Sequence, residues 1–244
     1  MTRYFLRSGG NANSAAGDGR LSLEASIADH ADHYEYDPHD PVPSRLSPAA
    51  QLGGMSDQSD VEARKDVLVF TTDRLEEDVE VTGEWMVNLY ASSSAEDTDW
   101  FVKLVDVHPD GKAYNLGQGF VRARYRNSRT DPQRLIPGAI ESYTITTWAT
   151  SNVFKKGHKI RLEVTSSDFP WVDRNPNAFV DLSRATEADF KVAQQTVYHD
   201  AAHPSSVDLP VIPASKSRQW VDVAPASPPV ARSITELPVA DLLE

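Results

Sequence analysis

Cysteine is absent from all 244 residues. That excludes a disulfide, a thiolate metal centre and a cysteine nucleophile, and it fits a reducing compartment. Long apolar runs are missing too; none reaches the roughly 18 residues of a membrane span. Positive charge is scarce, with 24 Lys and Arg against 36 Asp and Glu and a net charge of −12. Phosphate binding needs clustered Lys and Arg, so neither nucleic acid nor an anionic membrane is an expected partner. The opening apolar stretch, Tyr4 to Leu6, is too short for a signal peptide, and a cytoplasmic location is expected. The chain enters strand-like sequence at once, as a piece cut from something larger would. Helical periodicity is almost absent.

Short strands are present instead. Apolar residues make up 40% of the chain, ample for one core. At about 150 residues per domain the length allows one or two domains, and one β-sandwich of this size is sufficient. Asp18-Gly19 is a hairpin signal, with Leu21 to Leu23 as the returning strand. Residues 27 to 55 carry little periodicity and include Pro38, Pro41, Pro43 and Pro48. They read as an ordered excursion over a surface, anchored by Tyr34 and Tyr36. Val67 to Thr71 is a strand, and Val79 and Val81 begin another, closed by Gly83. Glu84 to Ala91 places Trp85, Val87 and Leu89 on one face. Asp99 to His108 is nearly continuously apolar, as a strand buried on most of both sides would be. Pro109-Asp110-Gly111 is a turn. Phe120 to Arg126 alternates Val121, Ala123 and Tyr125 with Arg122, Arg124 and Arg126. Glu141 to Thr147 aligns Tyr143 with Ile145. Lys159 to Thr165 puts Ile160, Leu162 and Val164 inward and Lys159, Arg161, Glu163 and Thr165 outward. Glu187 to Val192 fits one helical turn. Gln194 to Tyr198 and Leu209 to Ile212 read as edge strands, since Pro210 and Pro213 suit an edge. The expected fold is all-β, a sandwich or jelly roll. Residues 1–60 form an extended lead-in, 61–213 the sandwich core and 214–244 a flexible, proline-rich tail.

Several clusters bear on chemistry. Gly54-Met55-Ser56-Asp57-Gln58 misses the nucleophile-elbow pattern by its last glycine, which the tight turn requires, so Ser56 reads as a loop serine. His30 and His33, near Asp29, Asp32 and Asp37, form a weak metal-like grouping. Tyr198-His199-Asp200 has the composition of a base beside its orienter, but neighbours in a strand point to opposite faces. Asp97 and Asp99 either share a strand face and perturb each other, ligate Ca²⁺ poorly, or bond local backbone. The segment Ser166 to Asn177 follows the cleanest strand and combines Asp168, Phe169, Trp171, Asp173 and Arg174. It reads either as a pocket rim or as a structural loop closing the sandwich.

Taken together, certain stretches carry a family resemblance. They are Tyr4-Phe-Leu-Arg-Ser-Gly-Gly-Asn-Ala-Asn-Ser with Gly17-Asp-Gly; Tyr36-Asp-Pro with Asp40-Pro-Val-Pro; Asp57-Gln58 with Val61-Glu-Ala-Arg and Asp66-Val-Leu-Val-Phe-Thr-Thr; Asp97-Thr-Asp-Trp through His108-Pro-Asp-Gly; Arg122-Ala-Arg-Tyr-Arg; Ser166-Ser-Asp-Phe-Pro with Asp173-Arg-Asn-Pro-Asn; and Thr196-Val-Tyr-His-Asp with Leu209-Pro-Val-Ile-Pro. The chain resembles the C-terminal domain of the cocaine esterase, glutaryl acylase and X-Pro dipeptidyl-peptidase group of serine hydrolases. The resemblance covers residues 3 to 213. It implies a jelly roll of the galactose-binding-like type, packed on an α/β-hydrolase domain that carries the Ser-His-Asp triad and is its partner. No catalytic residue, metal ligand or cofactor is expected here. Pocket-rim or interdomain contacts are expected among Asp97, Asp99, Trp100, Asp168, Phe169, Trp171, Asp173 and Arg174, together with an exposed apolar docking face. The competing readings are a free-standing carbohydrate-binding module, which needs Trp100, Trp148 or Trp171 exposed, and a homo-oligomerisation domain.

Overall fold

The computed structural model describes residues 1–45 and 55–213. The expected tail over 214–244 and Pro48 lie outside the described residues. Among the described residues, fourteen strands form in chain order. They are β1 (Thr2–Arg7), β2 (Arg20–Ser22), β3 (Asp32–Tyr36), β4 (Leu68–Thr71), β5 (Val79–Gly83), β6 (Met86–Ser93), β7 (Asp99–Val107), β8 (Ala113–Arg122), β9 (Glu141–Thr146), β10 (Thr150–Phe154), β11 (Lys159–Thr165), β12 (Ala193–Tyr198), β13 (Ser206–Leu209) and β14 (Val211–Ile212). Eleven of them form one sheet path, β3-β12-β6-β13-β1-β2-β4-β11-β7-β8, with β9 added against β6. A second sheet is ordered β10-β5-β14. The fold is an all-β jelly-roll sandwich.

Alternation explains the core. Trp100, Val102 and Leu104 of β7 and Ile160, Leu162 and Val164 of β11 point inward, as their period of two requires. They meet Trp85 and the inward residues of β6 and β9 in a single cluster. Trp100 packs against Tyr143 with ring centroids 5.9 Å apart. Gly119 of β8 is required by close approach, since a Cβ there would lie 2.8 Å from Thr147 Cγ2 and 3.1 Å from the Thr146 carbonyl. Gly111 adopts φ 93°, closing the turn expected at Pro109-Asp110-Gly111.

The structure corrects four expectations. The first 60 residues are not a lead-in: β1 pairs with β13 and β3 with β12, so N-terminal and C-terminal strands interleave in one sheet. β12 is not an edge, because it lies between β3 and β6. Leu209 ends β13, which lies between β1 and β6; of the stretch from Leu209 to Ile212, β14, ahead of Pro213, is at a sheet edge. Pro210 falls between these two strands, where its missing N–H costs no ladder bond. The strand expected over Phe120 to Arg126 starts earlier, at Ala113, and stops at Arg122, where a 3-10 turn takes over Ala123–Tyr125.

The fourth correction concerns the outward face of β11. Arg161, Glu163 and Thr165 are buried rather than solvated. A short segment around residues 56–66 covers them. Arg161 pairs with Glu62 and donates from Nε to Thr71 Oγ1 at 2.8 Å. Neighbouring Lys103 of β7 pairs with Asp168 at 2.9 Å, and both side chains are enclosed. Burial pushes the Glu163 carboxyl well above its ordinary range, against the attraction of Lys103. Neither Glu163 oxygen has a conventional donor, but Glu62 lies within bonding reach. Protonated, Glu163 offers a donor to Glu62.

Candidate functional site

The loop from Ser166 to Asn177 is built from the inside outward. At its base stand two strand carboxylates. Asp97, just before β7, accepts from the Arg124 backbone N–H at 2.9 Å and from Arg124 Nε at 2.7 Å. This grip turns the chain at Arg122 and draws Arg124 inward, where its other nitrogens donate to the carbonyls of Val180 and Ala178 at 2.8 and 3.0 Å. Asp99 accepts a forked pair of bonds from Arg122, each 2.9 Å. Asn175 bridges the two acids through Nδ2, at 2.9 Å to Asp97 and 2.8 Å to Asp99. Burial pushes the Asp99 carboxyl upward, opposed by Arg122. The two acids meet on Asn175, and each is matched to its own arginine.

The other end of the loop is stitched to the chain around Val42. Asp168 takes Lys103 on one oxygen and Gln118 Nε2, at 3.1 Å, on the other. Phe169 N–H donates to the Val42 carbonyl at 2.9 Å, and Ser44 N–H donates to the Phe169 carbonyl at 2.7 Å. Asp97, Asp99, Trp100 and Asp168 are therefore enclosed within this domain and offer no surface to a partner. Phe169 and Trp171 are different, being 38% and 45% exposed. Arg174 stands behind them, 5.4 Å from the Phe169 ring centre and 4.6 Å from that of Phe190. It also bonds the Pro38 carbonyl at 3.0 Å and Glu187 at 3.1 Å. Asp173 is exposed, and its carbonyl accepts from Arg122 at 3.2 Å. The cleft between Phe169, Arg174 and Phe190 holds about 210 Å³. That is below the roughly 300 Å³ at which ligand pockets begin.

The remaining sequence candidates are dispersed. Ser56 bonds Asn115, Gln58 and the Arg45 carbonyl, with no histidine on it. His30 and His33 do not form a metal grouping with their neighbours. Asp29 is held by Arg7, Asp37 by His39 and Asp32 by His199, while His33 bonds Thr196. His199 is oriented by Asp32, at 2.8 Å, and not by Asp200. Ser8 also donates to Asp32, so serine and histidine share the acid without touching, in a fully buried tie between β3 and the end of β12. Trp148 is 87% exposed, whereas Trp100 is enclosed and cannot stack on a sugar. No helix among the described residues is long and apolar enough to cross a membrane.

Comparison with known proteins places the chain in a family. Residues 1–208 match the family model described as the X-Pro dipeptidyl-peptidase C-terminal non-catalytic domain. The chain belongs to that family. It is 42% identical over 214 residues to the cocaine esterase of Rhodococcus sp. (strain MB1 Bresler), an alignment covering 86% of this chain and 37% of that enzyme. Among solved structures it resembles an aminopeptidase from a marine sediment archaeon, Thaumarchaeota archaeon, with TM-score 0.77 and 31% identity, covering 87% of this chain and 37% of that one. An α-amino acid ester hydrolase gives TM-score 0.78 and 31% identity, with 86% and 36% covered. The chain thus spans little more than a third of the length of these three relatives. Its relatives are longer hydrolases.

Proposed function

We propose that this domain completes a serine hydrolase whose Ser-His-Asp triad lies on an α/β-hydrolase domain outside residues 1–213. It packs on that domain, and the segment from Phe169 to Arg174 forms part of the contact and of the substrate-pocket wall. The reaction is ester or amide hydrolysis through an acyl-enzyme, with nucleophile, base and oxyanion hole all supplied by the catalytic domain. The contribution of this chain is positional: it excludes water and orients the acyl or leaving group. The relatives' names, an esterase, an amino acid ester hydrolase and an aminopeptidase, support this substrate class.

The observation that carries the reading is the exposed pair Phe169 and Trp171 mounted on a buried base in which Asp97, Asp99 and Asp168 each hold a cation. Rigid aromatics on a locked support are what an interface or a pocket rim needs. The test is the double variant Phe169→Ala/Trp171→Ala in the intact hydrolase that carries this domain. We expect kcat/KM to fall by more than about tenfold while the domain stays folded. Unchanged kcat/KM would remove this segment from the pocket and the contact.

A further inference from the structure

The inward rows of β7 and β11 do not end in apolar residues. The row Trp100, Val102, Leu104 continues to Asp106 and His108. The row Val164, Leu162, Ile160 continues to His158. In the antiparallel ladder Lys159 faces Val107, so His158 falls opposite His108 one step further on. Three donors thus converge where the core opens to solvent. Nδ1 of His158 lies 2.9 Å from Asp106 Oδ1, and Nε2 of His108 lies 3.6 Å from Asp106 Oδ2. The two imidazole centroids are 4.3 Å apart, and the three donor atoms all lie within 4.8 Å of one another. Asp106 is enclosed, while His158 and His108 are half-buried.

We propose that Asp106, His108 and His158 bind a divalent first-row transition ion of the zinc type. Zinc bound at about 2.1 Å to tetrahedral donors sets those donors roughly 3.4 Å apart, and the observed separations bracket that value. Two imidazoles and one carboxylate are the donor set for such an ion, leaving one position for water. A single carboxylate is too few oxygens for Ca²⁺, and imidazole nitrogens do not suit Mg²⁺. A hydrogen bond explains the His158–Asp106 pair, but it does not explain why His108 turns Nε2 toward the same carboxylate. The ion clips the end of β7 to the turn before β11 and closes the mouth of the sandwich. The proposal does not depend on the hydrolase reading.

The test uses the full chain, stripped with chelator and titrated with ZnCl₂ by calorimetry and thermal melting. We expect one equivalent bound with micromolar or tighter Kd. At a hundredfold excess over Kd, Tm should rise on the order of 5 °C. MgCl₂ should give no rise, and His108→Phe and Asp106→Asn should each weaken zinc binding at least tenfold. Absence of a zinc-dependent rise in the wild type, or undiminished affinity in folded His108→Phe, overturns the proposal. If that variant does not fold, Co²⁺ added to the wild type decides. Intense visible absorption competed away by one equivalent of zinc supports the site, and its absence overturns it.

Discussion

The two faces of β7 and β11 are made from the same strands and hold together by different physics. Inward, Trp100, Val102, Leu104, Ile160, Leu162 and Val164 pack in a dry apolar cluster. Outward, Lys103, Arg161 and Glu163 are equally enclosed, yet they are charged or titratable and bond to Asp168 and Glu62. The apolar face gives affinity between layers without direction, because burial energy depends on area. The charged face has direction. It fixes which segment lies over the sheet, namely the covering residues around Glu62 and the start of the Ser166 loop. A buried pair adds little net stability, but removing one partner is costly, so such a face acts as a lock on register.

That contrast can be broken from the charged side first. Lys103→Met leaves Asp168 enclosed without its cation, and we expect a loss of about 4 kcal/mol, read by urea unfolding. On the apolar side, Leu162→Ala opens a cavity in a fully packed row and should cost about 3 kcal/mol in the same assay. A loss smaller for Lys103→Met than for Leu162→Ala would show that water reaches the charged face.

Glu163→Gln sharpens the comparison through pH. Burial raises the folded-state value of Glu163, so the folded protein binds more protons than the unfolded chain above the ordinary glutamate range. Its contribution is therefore complete at low pH and is lost as pH rises through the raised value. Glutamine keeps a donor for Glu62 and does not ionise. Melts between about pH 5 and pH 9 should show the variant gaining on the wild type as pH rises. Parallel curves would mean that Glu163 ionises normally. Trp171→Ala should have the smallest effect on the isolated chain, within about 0.5 kcal/mol, because the ring is half in solvent.

The inward rows were legible in the sequence because alternation is a local signal. The outward face of β11 was not, whereas the near-continuous apolar run of β7 did read as a strand buried on most of both sides. Arg161 and Glu163 alternate with apolar residues just as solvated positions do, and the segment that covers them has no period to announce it. The first half of β8 is hidden because Gly117 and Gly119 depress the strand signal, although close packing against Thr147 is the reason for Gly119. The placement of β12 and β13 inside the sheet depends on pairings with β3 and β1 that no local pattern encodes. In the candidate site, the residue types of the Ser166 loop fitted either a pocket rim or a structural loop closing the sandwich. Which of them face outward was hidden, because Asp97 and Asp99 find their arginines 27 and 23 residues away. Only once those pairs close do Phe169 and Trp171 remain as the presented surface.

The most direct test of the account is active-site labelling. A fluorophosphonate probe, which reacts with activated serines, is applied to the native polypeptide or complex that carries this sequence, and the labelled peptide is identified by mass spectrometry. The account predicts a single labelled serine on a catalytic domain outside residues 1–213 and none within them. A label on a serine within residues 1–213 would contradict it.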